Sequence, residues 1–360
     1  MCELSEQLGE PKQLLRAKIT LSNLYFVQGE SARGLDLARQ CLPLAEAAED
    51  DALIADAHWS VAGPAHTCGA LAEAVAEYDE AILCADRVGA GVSLLGVLLN
   101  VAPLSQSCAP RHLLGRISEA AALAEQGIKN ARESEHPFTL GHALTTASGW
   151  MAYLRREPEA MLVCAEEQIA FSSEHGLIEW LNWGHIHKGM ALADLGHVAK
   201  GVPEMEKGIA GFGSGGAPIL QFAVAVLALG YARLGRIDEA IESLNEVLAH
   251  VERSGEKAYL PEIMRLKGEV ILKRDPSATK DAELCFRDSL EVARAQSARW
   301  WELRATTSLA RLLCDTGRRE EARAMLGEIY NWFTEGFDTA DLKDAKALLE
   351  ELGDPGGATR

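Results

Sequence analysis

A helix–turn–helix unit recurs along the whole chain, and this repetition limits the possible folds more than any other feature. Its clearest copy is Leu227–Val247, LALGYARLGRIDEAIESLNEV. Apolar or small residues fall at helical spacing on both sides of Gly235–Arg236: Leu227, Tyr231 and Leu234 before it, Ala240, Leu244 and Val247 after it. Two short helices joined by so tight a turn lie antiparallel and share one apolar seam. Ala240 falls where the second helix crosses the first, so a small side chain there lets the backbones approach. Equivalent small residues are Gly34, Ala74, Ala120, Ala160, Gly201, Ala282 and Ala322, and the eight positions are spaced by 40, 46, 40, 41, 39, 42 and 40 residues. A helix pair cannot bury its remaining apolar face alone, but a stack of such pairs can. The expected fold is therefore all-α: a right-handed α-solenoid of about eight antiparallel pairs, with residues 1–352 forming one array.

The turns carry their own signals. Glycine lies five residues before the small position in six units (Gly29, Gly69, Gly115, Gly196, Gly235 and Gly317), where a helix ends in a left-handed residue. Acidic residues such as Glu119, Asp238, Glu320 and Glu321 follow at the positive end of the next helix. The third unit is lengthened by residues 88–100, and Pro103 and Pro110 predict a kinked or shortened helix there. Lys273–Thr279 predicts an exposed loop in the seventh unit. Ala340–Leu352 reads as a polar capping helix, and residues 353–360 as a disordered tail.

Composition narrows the function. Hydrophobic residues make up 48% of the chain and aromatics only 6%, a mix suited to closely packed helices. A formal charge of -18 argues against a nucleic-acid or anionic-membrane partner, which calls for a basic stripe. The eight cysteines include no CxxC pair, and no signal peptide or membrane-length apolar run is visible. The expectation is a reduced, soluble, cytoplasmic protein.

Candidate chemistry is sparse. Six of the ten histidines fall between His136 and His197, and His185 and His187 are two apart, on different helix faces; partly exposed helix histidines are the expectation. Cys164 and His175 have no partner at a predictable distance for a nucleophile. Gly211–Gly216 has no strand before it and reads as a linker, not a phosphate cradle. Trp180, Trp183, Trp300 and Trp301 are expected in the core. No cofactor, metal or catalytic residue is assigned. The surface of interest is the concave face, built from the first helix of each pair. Counting back from the small position places Arg16, Asn23, Asp56, Trp59, His66, His142, Trp183 and Phe222 there. It also places there a charged cluster of Glu262, Arg265, Glu269, Arg304, Thr307 and Arg311. A peptide, protein or small effector is the expected partner, with the charges and the Trp183–Phe222 neighbourhood as first places to look.

Ala74, Tyr78 and Ala81, and more loosely Ala282, Phe286 and Ser289, resemble the second-helix signature of the tetratricopeptide repeat, although that repeat is roughly 34 residues long. HEAT-type pairs, at roughly 40–47 residues, are the architectural alternative; the G-R-x-x-E-A turn favours the former. A narrower resemblance runs over essentially the whole chain. Trp300–Leu352, with Arg265–Glu269 and His136–Phe138, looks like the C-terminal tail of large bacterial proteins that join a class III adenylate cyclase domain to an ATPase domain. WFTEGFDTADL, within Tyr330–Leu342, is its most specific part, because helix packing does not demand it. That resemblance implies a non-catalytic sensor or scaffold tail. The alternative, cyclase or ATPase activity, lacks a GxxxxGK[ST] loop and the cyclase's metal-binding aspartates. Met1–Leu8 reads as the remnant of a preceding unit, and the apolar helix beginning at Gln13 as an edge open to self-association.

Overall fold

The computed structural model describes residues 11–89, 91–213 and 217–353. The remnant expected at Met1–Leu8, the tail 354–360 and part of the 211–216 linker lie outside the described residues. Eight antiparallel helix pairs follow one another: α1 (Pro11–Val27) and α2 (Ser31–Ala47), α3 (Asp51–Thr67) and α4 (Leu71–Val88), α5 (Ala102–Leu113) and α6 (Ile117–Glu133). Next come α7 (137–155) and α8 (Pro158–His175), α9 (Ile178–Asp194) and α10 (Val198–Gly211), α11 (Leu220–Arg233) and α12 (Ile237–Ser254). The array finishes with α13 (Leu260–Arg274) and α14 (Thr279–Ala295), α15 (Arg299–Asp315) and α16 (Arg319–Trp332), then α17 (Ala340–Gly353). An α-solenoid results. The described residues contain no strand, only an isolated bridge between Val92 and Leu98 in the insertion before α5. Pro103 lies in the first turn of α5 and Pro110 inside it, and the helix has 12 residues where α3 has 17.

The small positions do what their size allows. Gly201 lies against the carbonyl oxygen of Gly189 and the amide of Ala193, with no room for a Cβ, and Ala240 is fully buried. One of the eight is corrected. Ala160 is exposed and Met161 is buried, because the crossing residue is the fourth of the second helix in every unit and α8 begins at Pro158. The spacings around it are thus 41 and 40. The reason is that Arg156 occupies the left-handed place that glycine takes in six other units, at φ 57°. With no glycine to mark the turn, the register slips by one. The turns between units also carry a residue at positive φ (Glu49, Gly89, Glu135, Gly176, Gly213, Gly255, Ser297 and Gly336), and glycine occupies only five of these eight places.

The solenoid coils tightly enough to touch itself. The loop after the sixth unit meets the turns of the first two: Ser31 Oγ donates to Glu256, and Ala258 N donates to Thr67 O at 3.0 Å. The loop after the eighth meets the third, where Glu335 accepts a hydrogen bond from Ser118 N and Gly336 packs on Ile117. Arg156, in the fourth turn, pairs with Asp341 and Asp344 of α17. The turns of the first three units thus contact loops four to five units on, and the fourth contacts the capping helix. This closure also accounts for the WFTEGF wording: Phe333 is buried edge-on against Trp300, and Glu335 and Gly336 seat the third turn. Packing across the coil, invisible in one helix pair, demands it.

Candidate functional site

Closure encloses the superhelix axis, and the side chains that reach it divide it into two cavities. A wall of rings separates them: Phe222 stacks on Tyr259 at 4.5 Å, Trp150 lies 5.8 Å from Phe222, and Tyr259 lies 5.9 Å from Trp301.

The first cavity, of about 170 Å³, is aromatic. Trp59 and His66 come from α3, Tyr78 from α4, Gln106 from α5, His142 and Thr146 from α7, and Trp180 and Trp183 from α9. Trp59 Nε1 and Tyr78 OH both donate to Gln106 Oε1, at 2.7 and 3.3 Å. His142 is edge-on to Trp59 and to Trp180, with centroids 6.3 and 5.6 Å away. The Ser105 hydroxyl is 2.9 Å from Val101 O, which takes its proton, so His142 Nδ1 donates to Ser105 Oγ at 3.3 Å. His142 Nε2 is then left as an acceptor. Among the described residues neither it nor His66 Nε2 nor Trp180 Nε1 has a hydrogen-bond partner, and all three atoms are buried. Burial pushes both histidines down to about 4, so they are neutral at pH 7.

α7 reaches this cavity through a π-helical turn, Leu144–Gly149. Wide turns of this kind recur at functional sites because they re-aim the residues that follow. Here Thr145 and Thr146 line the cavity, and Gly149 gives way to the His187 ring, leaving no room for a Cβ. At the rim Ile219 holds φ 58°, a strained value for a β-branched residue.

The second cavity, of about 370 Å³, is charged. Glu262 is fully buried and accepts two hydrogen bonds from Arg265 (2.7 and 2.8 Å) and one from Arg304 (3.3 Å). Burial alone would raise its pKa, but the two guanidinium groups outweigh this and hold the carboxyl at about 2. Arg304 also donates to Asp341 and to Leu154 O, and Arg265 to Glu269 and to Ser308. Five arginines and five carboxylates line the space, so its walls are close to neutral as a set.

Of the residues expected on the concave face, Trp59, His66, His142 and Trp183 meet in the aromatic cavity. Glu262, Arg265, Glu269, Arg304, Thr307 and Arg311 meet in the charged one. Phe222 stands in the wall between them. Asn23 is buried with its amide nitrogen unpaired, Asp56 accepts from Leu94 N at 3.1 Å, and Arg16 is exposed; none of these three lines either cavity. The histidine expectation is corrected: His142, His185 and His187 are buried, with His187 wedged against Trp150 and Trp183. Helical counting also missed Tyr259, which comes from a turn, and Thr146 and Trp150, which lie in or just after the π turn where the count slips. All four tryptophans expected in the core are buried. Among the described residues, no group of three or more His, Cys, Asp or Glu could hold a metal, and no helix is long and apolar enough to cross a membrane.

The tetratricopeptide repeat family matches residues 221–246 and 303–328, within the sixth and eighth units. No curated protein matches the sequence. Among solved structures the chain is similar to a Rap protein complexed with Competence and Sporulation Factor, at TM-score 0.59 and 13% identity over 94% of this chain and 86% of that one. It is similar to the apo form of RapI, at TM-score 0.50 and 13% identity over 78% and 93%. Human IFIT1, as a dimer with m7Gppp-AAAA, is similar at TM-score 0.50 and 14% identity over 93% and 71%. The fold is a tetratricopeptide-type helical solenoid.

Proposed function

We propose that this chain is a non-catalytic regulatory module that holds an effector at the centre of its coil. The observation that carries this is the aromatic cavity itself. It is a partly open cavity lined with rings and walled by residues from the first through the sixth unit together with Tyr259. A molecule bound there touches segments that meet only when the coil closes, so occupancy and closure are thermodynamically linked. The fold is compatible with such a role, since the similar Rap structure holds Competence and Sporulation Factor and the similar IFIT1 structure holds m7Gppp-AAAA. The resemblance of the chain, carried mainly by Trp300–Leu352, to tails of cyclase–ATPase proteins supports a sensor or scaffold role beside such an enzyme, in the bacterial cytoplasm, with a protein partner on the outside of the coil. Cyclase or ATPase turnover by the isolated chain would overturn the non-catalytic reading.

The binding part is tested by native mass spectrometry of chain purified without denaturation. A small molecule retained by the chain and lost from a Thr146→Trp variant, which fills the cavity, is the expected result. Identical spectra for the two proteins at every purification step count against an internal site.

A further inference from the structure

The lining of the aromatic cavity specifies the chemistry of its ligand, an inference that rests on the reading above. Size comes first. An apolar cavity of about 150 Å³ takes up benzene, so about 170 Å³ suits one or two fused rings and no more. Shape follows from the walls, which include the rings of Trp59, Tyr78, Trp180, Trp183 and Tyr259.

Charge decides the rest. No lysine or arginine lines the cavity, and its two histidines are neutral. The one carboxyl group is Glu179 at the rim, which keeps exposed surface and, among the described residues, has no ion pair or hydrogen bond, while partial desolvation raises its pKa above the ordinary carboxylate value. A carboxylate or phosphate entering would shed its water and meet no counter-charge. A cation would meet ring faces, whose quadrupoles attract it, and then Glu179. The charged cavity across the ring wall offers no such selection, because its carboxylates already have arginine partners.

We propose that the aromatic cavity binds a small aromatic amine in its cationic form, with the ring enclosed among the tryptophans and the ammonium directed to Glu179. Anionic analogues of the same ring are rejected.

The test uses the full chain and three probes that share one ring: tryptamine, indole and indole-3-acetate, titrated by calorimetry near neutral pH. Tryptamine is expected to bind about tenfold or more tighter than indole-3-acetate, with indole between them. Glu179→Gln, at an exposed position, should reduce tryptamine affinity several-fold and leave indole unchanged. Thr146→Trp should abolish binding of all three. Equal or tighter binding of indole-3-acetate overturns the proposal. So does tryptamine binding that survives Thr146→Trp, which would place it on the acidic surface, and so does failure of all three probes to bind. If the probes fail while natively purified chain still carries another molecule lost in Thr146→Trp, only the ligand class falls and the regulatory reading stands.

Discussion

The hydroxyl of Ser31 donates a 2.6 Å hydrogen bond to the carboxylate of Glu256, 225 residues further along the chain. Glu256 is buried, and desolvation pushes its pKa up to about 7 against the modest opposing pull of this bond. The acid is therefore largely protonated below pH 7 in the folded chain, while an unfolded chain ionises it near its ordinary value. Between those two points the folded state holds the extra proton, so this residue lowers stability as pH rises. Ser31→Ala removes the only hydrogen bond to the side chain among the described residues. The expected cost is about 1–3 kcal/mol, larger at pH 8 than at pH 6 because the unpaired group is then charged. Urea denaturation at both pH values checks it; equal midpoints for variant and parent would show that the coil does not close here.

The register of the fourth unit gives a second test. Ala160 faces solvent and Met161 fills the helix crossing. Met161→Ala should therefore cost about 2–5 kcal/mol, whereas Ala160→Leu should be nearly neutral. Ala240→Leu, at the crossing of the sixth unit, should overpack and cost about 1–3 kcal/mol. A damaging Ala160→Leu would restore the register drawn from spacing alone.

These positions show what a sequence like this reveals. The period, the small crossing residues and the glycine turns are local, and local signals define each helix pair. Glycine marks a left-handed turn residue because it has no Cβ to clash, but Arg156, Glu49, Glu135 and Ser297 take that conformation unannounced. The charged residues at 262, 265, 269, 304, 307 and 311 were legible as one group because they recur on successive helices at helical spacing. The aromatic cavity was legible only in part. Tyr259 and Ile219 reach it from turns, and the π turn in α7 breaks the spacing that would have found Thr146 and Trp150. Contacts such as Trp300 Nε1 to Leu154 O, at 3.2 Å, depend on the pitch of the coil, which no single repeat encodes.

Acid should unfold this protein readily. Burial holds His66 and His142 down to about 4, and His112 and His187 to about 3. In the unfolded chain each takes a proton near its ordinary pKa, so stability is full above that value and falls as pH drops toward 4. Each pKa unit corresponds to about 1.4 kcal/mol, so four such residues outweigh the opposing contributions of Asp56 and Glu256, both raised to about 7. The melting temperature should decline steeply between pH 6.5 and 4. His112→Leu and His187→Leu should each flatten that decline, whatever they do to stability at neutral pH. A decline unchanged in both variants would assign the acid sensitivity elsewhere.

The charged cavity should behave as a coupled unit. Glu262 sits between the buried Arg304 and the partly buried Arg265, and Arg304 carries the connection onward to Asp341 at the start of the capping helix. Removing one member leaves a charge without compensation at a buried position, at a cost of about 3–5 kcal/mol, whereas replacing a buried pair with apolar groups of similar volume is often near neutral. Glu262→Gln should therefore be strongly destabilising. The double variant Glu262→Leu, Arg304→Met should recover much of the loss, although Arg265 keeps Glu269 as its remaining carboxylate partner. Arg304→Met alone should in addition weaken the hold on α17, seen as faster proteolysis between Phe333 and Thr339 under native conditions. If the single and double variants lose stability additively, Glu262 and Arg304 act independently and the cavity is a set of separate ion pairs. If proteolysis in that segment is unaffected, α17 is held by Leu342, Ala345 and Leu348 packing alone, and the arginine contributes to the cavity without securing the end of the array.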